Sequence, residues 1–344
     1  MRVRSMIVSR MIRTLVSLIT TLAILHLAAP ASEGQRAARV YRIGLLSSTP
    51  APFFMEPFAA EMRERGWVEG QHFTWERRFT GANPNSATVL ARELVDLQVD
   101  VIVTAITGNA IAARRASARI PIVMVSSGYP VEAGLAQSLA MPGGNVTGNA
   151  TYVGGKVFGK YLEFLRTLSP RLTRLGVLWD YVPPAATPQE VDLALGELKR
   201  AALALRITVK LREVRAKTDV DHALADFAKD RVDALFVTSG PVHADAEIAG
   251  PIIEFARRQR IPTMSDFAGG FFKHGGLLAY SPSPAALGRR AAYFVDRILR
   301  GANPADLPIE QPSKFDVIIN ARTARAIGLT IPPALLAQAD QIIE

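Results

Sequence analysis

From Tyr41 onward, short apolar runs alternate with longer stretches whose apolar positions recur at helical spacing. Strands are predicted at Ile43–Leu46, Val101–Thr104, Ile120–Val125, Leu175–Trp179, Ala234–Thr238, Ile261–Met264, Leu277–Tyr280 and Phe315–Ile319. Between them, Val191, Ala194, Leu195, Leu198, Ala201, Ala202 and Leu205 fall on one helical face, as do Leu287, Ala291, Phe294, Val295 and Ile298. Strand-helix alternation of this kind predicts an α/β fold: doubly wound parallel sheets with helices on both faces.

The pattern occurs twice. Arg42-Ile43-Gly44-Leu45-Leu46 is echoed 132 residues later by Arg174-Leu175-Gly176-Val177-Leu178. Val99-Asp100, ahead of Val101–Thr104, is echoed 133 residues later by Val232-Asp233, ahead of Ala234–Thr238. Arg119-Ile120-Pro121 returns 141 residues later as Arg260-Ile261-Pro262. Three echoes in one order at nearly constant separation predict two similar α/β lobes.

Ligands of open α/β sheets bind beyond the carboxyl ends of the strands, where turn amides and helix N-termini converge. At those ends the first lobe carries Ser47, Ser48 and Thr49, then Thr104 to Gly108 with Thr107 among them, then Ser126, Ser127 and Gly128. The second carries Asp180 and Tyr181, then Ser239 and Gly240, then Ser265 and Asp266. If the two sets face each other, they bound a cleft able to close around a small molecule. Two readings are open for each Ser and Thr: a ligand contact, or a cap on the following helix.

The N-terminus reads as an address. Residues 1–31 hold Arg2, Arg4, Arg10 and Arg13 without an acid, then an apolar run from Leu15 to Ala29 ending in Ala29-Pro30-Ala31. That run is shorter than the ~20 residues of a comfortable membrane span. It predicts a signal peptide cleaved near Ala31 and a mature chain in a bacterial periplasm; an uncleaved anchor is the alternative. The 344 residues are 49% hydrophobic and carry a formal charge of +9, of which the leader supplies +4. The modest remainder, without dense basic runs, argues against a nucleic-acid partner. With zero cysteines there is no disulfide framework, thiolate metal site, cysteine nucleophile or acylated cysteine.

Catalytic signatures are missing. Gly154-Gly155-Lys156 lacks the spacing of a phosphate loop, no G-x-G-x-x-G follows the first strand, and there is neither a G-x-S-x-G elbow nor an H-E-x-x-H helix. His72, His222, His243 and His274 are scattered, which predicts no metal site and no cofactor. Asp180 and Asp266 are the available carboxylate pair, readable as acid–base groups or as polar ligand contacts.

Glu64-Arg65-Gly66-Trp67-Val68-Glu69-Gly70-Gln71 resembles a signature of the ABC-transporter substrate-binding proteins, in the branch that includes tryptophan and tyrosine binders. The same holds for Val99–Thr104, Ile120–Val125, Pro142–Gly148, Pro304–Pro312 with Lys314, Phe315 and Asn320, and Gly328–Pro333. The resemblance runs from about Tyr41 to Glu344 and implies the type I periplasmic-binding-protein fold. That is two Rossmann-like lobes with a hinge, closing on a solute and docking on a membrane permease, and expected to be a monomer. It implies crossovers through Asn145–Ala150, Ala279–Pro284 and a segment near Leu307–Pro312. One lobe is then 40–147 with 281–306, the other 148–280 with 307–344.

Where relatives read D-P-V-x-A-G-L, this chain has Tyr129-Pro130-Val131-Glu132-Ala133-Gly134-Leu135. The resemblance implies that an Asp at that place would face a ligand amine; Tyr129 offers a ring and a hydroxyl instead. Phe53, Phe54, Tyr152, Tyr181, Phe267 and Tyr280 also fall near strand ends or hinges, as ligand-stacking rings or as ordinary packing. The expected function is capture of a small, aromatic or planar solute for an importer, without catalysis. The rivals are a ligand sensor feeding a membrane signalling protein and an exported hydrolase.

Overall fold

The computed structural model describes residues 39–81, 86–152, 156–180, 187–240, 243 and 245–344. The expected leader and Tyr181 lie outside the described residues.

The first half of the chain runs β1 (Tyr41–Ser47), α1 (Pro52–Glu64), β2 (Phe73–Phe79), α2 (Ser86–Asp96), β3 (Val101–Ala105), α3 (Thr107–Ala116), β4 (Ile122–Ser127) and β5 (Val146–Ala150). These strands form one parallel sheet in the order β2-β1-β3-β4-β5. The chain continues through α4 (Lys156–Leu168), β6 (Arg174–Asp180), α5 (Pro188–Ala204), β7 (Thr208–Val214), α6 (Lys217–Asp230), β8 (Ala234–Val237), α7 (Ala246–Gln259), β9 (Thr263–Ser265) and β10 (Leu278–Pro282). Last come α8 (Pro284–Leu299), β11 (Phe315–Asn320), α9 (Ala321–Ile327), α10 (Pro333–Leu336) and β12 (Gln341–Ile343). The second sheet is β12-β11-β10-β9-β8-β6-β7. Its β7-β6-β8-β9-β10 portion repeats the order of the first sheet. Its neighbours are parallel except β10 and β11, which are antiparallel.

The sequence echoes fall on equivalent strands: β1 and β6, β3 and β8, and the approaches to β4 and β9. Alternation places Ile43, Leu45, Val101 and Val103 in the core on one face of the first sheet, and Leu46 and Ile102 in the core on the other. The second sheet is likewise packed on both faces, with Leu175, Val177 and Phe236 on one side and Leu178, Leu235 and Val237 on the other. Each such fully buried side chain contributes roughly 1.5–3 kcal/mol.

Four of the described strands fall outside the predicted runs. β2 and β7 lie on sheet edges and interleave charges, as in Thr74-Trp75-Glu76-Arg77-Arg78 and Lys210-Leu211-Arg212-Glu213. β12 is a three-residue edge strand. β5 is Val-Thr-Gly-Asn-Ala, buried yet largely polar, because its side chains bond backbone rather than pack. Thr147 Oγ1 donates to Leu307 O (2.8 Å), and Asn149 Nδ2 donates to Val125 O (3.0 Å) and Leu287 O (3.1 Å). Gly148 has φ +121°, and a Cβ there would overlap the Met124 carbonyl, so β5 approaches β4 at a place only glycine fits.

After β5 the chain enters α4, whose Phe158, Leu162 and Leu165 belong to a core of the second sheet. After β10 it enters α8, whose Leu287, Ala291, Phe294 and Val295 belong to a core of the first. The segment before β11 runs beside β5. Ala150 N donates to Glu310 O (2.8 Å), Gln311 Nε2 to Tyr152 O (3.0 Å) and Ser283 N to Lys314 O (3.0 Å). The three passages between the lobes are thus bonded to one another.

Candidate functional site: the seam between the lobes

In the first lobe β1 and β4 end in the buried Ser47 and Ser127, and the buried Thr104 is the last residue but one of β3. The turn after β3 is strained. Ile106, a β-branched residue, has φ +67°, which costs on the order of 1–3 kcal/mol. Its N–H is held by Ser126 O at 2.9 Å, and the next residue, Thr107, begins α3.

The Thr107 hydroxyl is fully engaged. It donates to Glu190 Oε1 (3.0 Å) and accepts from Gly128 N (3.0 Å), with Ser127 Oγ at 3.1 Å. A hydroxyl has one proton and a carboxylate only accepts, so Ser127 is the donor in the last pair. Tyr129 N also donates to Glu190 Oε1, at 2.9 Å. Glu190 belongs to α5, whose core is that of the second lobe, and is 2% exposed. Its Oε2 accepts from Thr187 N (2.6 Å) while Thr187 Oγ1 accepts from Glu190 N (3.2 Å), a capping box at the start of α5. One carboxylate therefore caps a helix of the second lobe and binds two donors of the first.

A second contact crosses the seam. Phe267, just past β9, meets Phe53 of α1 edge-on with ring centroids 5.1 Å apart, and Phe54 at 6.2 Å. Tyr129 stacks on Tyr152 at 3.9 Å, and both rings pack on a core of the second lobe. The Tyr129 hydroxyl is buried with no partner among the described residues. Burial raises its phenol above the ordinary range, helped by the carboxylates of Glu197, Glu190 and Glu132 and opposed by Arg200.

On the rim of the second lobe, Asp180 N donates to Thr238 Oγ1 (2.8 Å) and Asp180 Oδ2 accepts from His243 N (2.9 Å). His243 is 0% exposed, with Nδ1 at 2.7 Å from Thr238 O, so Nδ1 carries the proton; Nε2 is buried with no partner among the described residues. Burial lowers its pKa to about 4, against the opposing pull of the Thr238 bond. The imidazole is therefore neutral beside Asp180, 3.9 Å away, and the two form no ion pair near pH 7. Asp266 Oδ1 accepts from Ser239 N at 2.6 Å; burial raises its carboxyl while the Ser239 backbone and side chain pull the other way. Gly240 is required here, since a Cβ would overlap the Asp180 carboxylate.

The sequence-predicted residues divide into groups. Thr107, Ser127 and Tyr129 converge on Glu190, and Tyr152 joins through Tyr129. Asp180, Ser239 and Asp266 line the opposite rim with His243. Ser48 and Ser126 are half-buried, and the hydroxyls of Ser47 and Thr104 are buried with no partner among the described residues. Tyr280 stacks on Phe315 at 5.0 Å and meets Phe164 edge-on at 5.3 Å, in the second lobe's core. Glu190 and His243 were not among the predicted contacts. Thr187-Pro188-Gln189-Glu190 carries the T-x-x-E signal of a capping box, but nothing local reveals the reach to the other lobe. A cavity of about 730 Å³ lies at the β11–β12 edge, lined by Ala268, Phe272, Lys273, Asn320, Arg322 and Gln341 among others.

Comparison with known proteins bears on the fold. A tyrosine-binding protein of Clostridioides difficile is 24% identical over 273 residues, 79% of this chain and 75% of its own. A conserved domain protein of Vibrio cholerae superposes with TM-score 0.78 at 23% identity, over 88% of this chain and all (100%) of that one. A Streptococcus pneumoniae ABC domain in complex with L-Trp gives TM-score 0.77 at 22% identity, over 89% of this chain and 100% of its own. Residues 55–343 match the ABC transporter substrate binding protein family. The chain belongs to that family of two-lobed α/β proteins.

Proposed function

We propose that this chain is the solute receptor of an ABC importer, holding a small aromatic or planar solute between its lobes and handing it to a membrane permease. The observation that supports this most is the seam itself. The strand ends of both lobes meet there through Glu190, Thr107 and Tyr129 on one side and Phe53 and Phe267 on the other. A solute entering the seam meets hydroxyl and backbone donors on the first lobe, carboxylates on the second and rings from both, the equipment for a polar aromatic molecule. Burial of a ligand between both lobes favours a form closed on the solute, because only that form contacts it from both sides. The basic and apolar N-terminal stretch fits export to the outer face of the membrane.

Calorimetric titration with a panel of aromatic amino acids and aromatic carboxylates tests the reading. Saturable one-site binding without change to the ligand is expected. Conversion of a ligand to product, or heats indistinguishable from dilution across the panel, would overturn it.

A further inference from the structure

We propose that Glu190 is a built-in occupant of the place where a ligand carboxylate docks, latching the lobes together when no ligand is present. The inference rests on the solute-receptor reading and adds to it the chemistry of the ligand and a residue that sets its affinity. Two donors of the first lobe, Thr107 Oγ1 and Tyr129 N, already surround a carboxylate oxygen at 3.0 and 2.9 Å. That carboxylate comes from the other lobe, which has its own cores, so the bonds need not form for either lobe to fold. The Thr107 hydroxyl is oriented for this role. Its lone pairs are taken by Gly128 N and Ser127 Oγ, so its proton points to an acceptor. Opening the seam leaves both donors without that acceptor, and a ligand carboxylate supplies an equivalent one.

The consequence runs opposite to that of an ordinary contact residue. Ligand and Glu190 compete for the same donors, so the measured affinity is the intrinsic affinity reduced by the fraction of molecules that are latched. Removing the Glu190 carboxylate therefore tightens binding of a carboxylate ligand, whereas removing an acid that grips a ligand amine would weaken it.

The chain has no cysteine, so a pair of thiol labels can be placed without background. Val89 on α2 (61% exposed) and Leu203 on α5 (77% exposed) suit Val89→Cys and Leu203→Cys nitroxide labelling, one on each lobe. Without ligand, pulsed electron paramagnetic resonance should give a short distance in this background and a longer, broader one after Glu190→Ala. Thr107→Val leaves the α5 cap and the Tyr129 N bond intact and should lengthen the distance part of the way, with the double variant matching Glu190→Ala. Unchanged distances in Thr107→Val would overturn the latch.

In titrations with L-tyrosine and L-tryptophan, Glu190→Ala should bind roughly tenfold tighter if about nine in ten molecules are latched. Tyramine, which lacks the carboxylate, should gain less. Weaker binding of the amino acids by Glu190→Ala would overturn the proposal. If neither protein binds any probe, the solute reading fails, and the distances without ligand still decide the latch.

Discussion

The Asp233 carboxylate accepts the backbone N–H of Arg174 at 2.8 Å, and the Arg174 carbonyl accepts the backbone N–H of Asp233 at 2.8 Å. The same Asp233 oxygen also accepts from Thr173 N and Thr173 Oγ1, at 2.9 and 3.0 Å. In the first lobe Asp100 and Arg42 make the equivalent pair of bonds, at 2.7 and 2.8 Å. In each lobe the pin sets the register of the central strand against its neighbour, β1 against β3 and β6 against β8.

Asp233→Ala should therefore destabilise the fold by about 2 kcal/mol, the range for hydrogen bonds to a charged acceptor. The check is urea unfolding at neutral pH, where the midpoint should fall with little change in slope. An unshifted midpoint would mean that backbone pairing alone holds the register.

The buried His243 makes stability fall in acid. Its pKa is depressed to about 4 by burial, from an ordinary value of about 6.5. Between those values the unfolded chain binds the proton and the folded chain does not, so this stabilisation is complete above pH 6.5 and is lost progressively as pH drops to about 4. The difference amounts to at most about 3 kcal/mol. Asp266, with a raised pKa, acts with the opposite sign. Comparing unfolding of the parent and His243→Gln from pH 7.5 to 4 isolates the histidine, and the variant should lose less stability on acidification. Parallel profiles would show that His243 titrates normally in the fold.

Tyr129→Phe removes a hydroxyl that is buried with no partner among the described residues, while keeping the ring stacked on Tyr152. Thermal unfolding should show unchanged or slightly higher stability, by up to about 1 kcal/mol, since no bond is lost and a desolvated polar group is removed. A clear loss would reveal a partner for the hydroxyl in solution.

Phe267→Ala deletes the ring that meets Phe53 and Phe54 across the seam. An aromatic pair of this kind is worth about 0.5–1.5 kcal/mol beyond area burial. Small-angle scattering without ligand should show a larger radius of gyration, with far-ultraviolet circular dichroism unchanged. An identical scattering curve would show that the rings do not hold the lobes.

The fold was legible because the buried strands are nearly continuous apolar runs and because the pins recur as Val-Asp ahead of β3 and β8. Edge strands such as Phe73–Phe79 were not, since one side faces solvent and charges interrupt the pattern. Of the candidate site, the rims were legible and the contacts across the seam were not. Thr107, Ser127, Asp180 and Asp266 follow from the rule about strand ends, which needs only the order of elements. Glu190 sits at the start of α5, where a T-x-x-E box already explains it locally. Its second set of partners lies 83 residues away at Thr107 and 61 at Tyr129, a distance that periodicity does not span. Tyr280 shows the converse: it stands at a strand end, yet its ring turns into the core against Phe315 and Phe164.

The three passages between the lobes are tied side by side through Gln311 to Tyr152 and Ser283 to Lys314. Sliding one lobe past the other would tear those ties, while a swing about the line they share leaves them whole. These ties favour a door-like motion over a sliding one. A motion of that kind would carry a change at the seam to the outer surface as a change in a single angle.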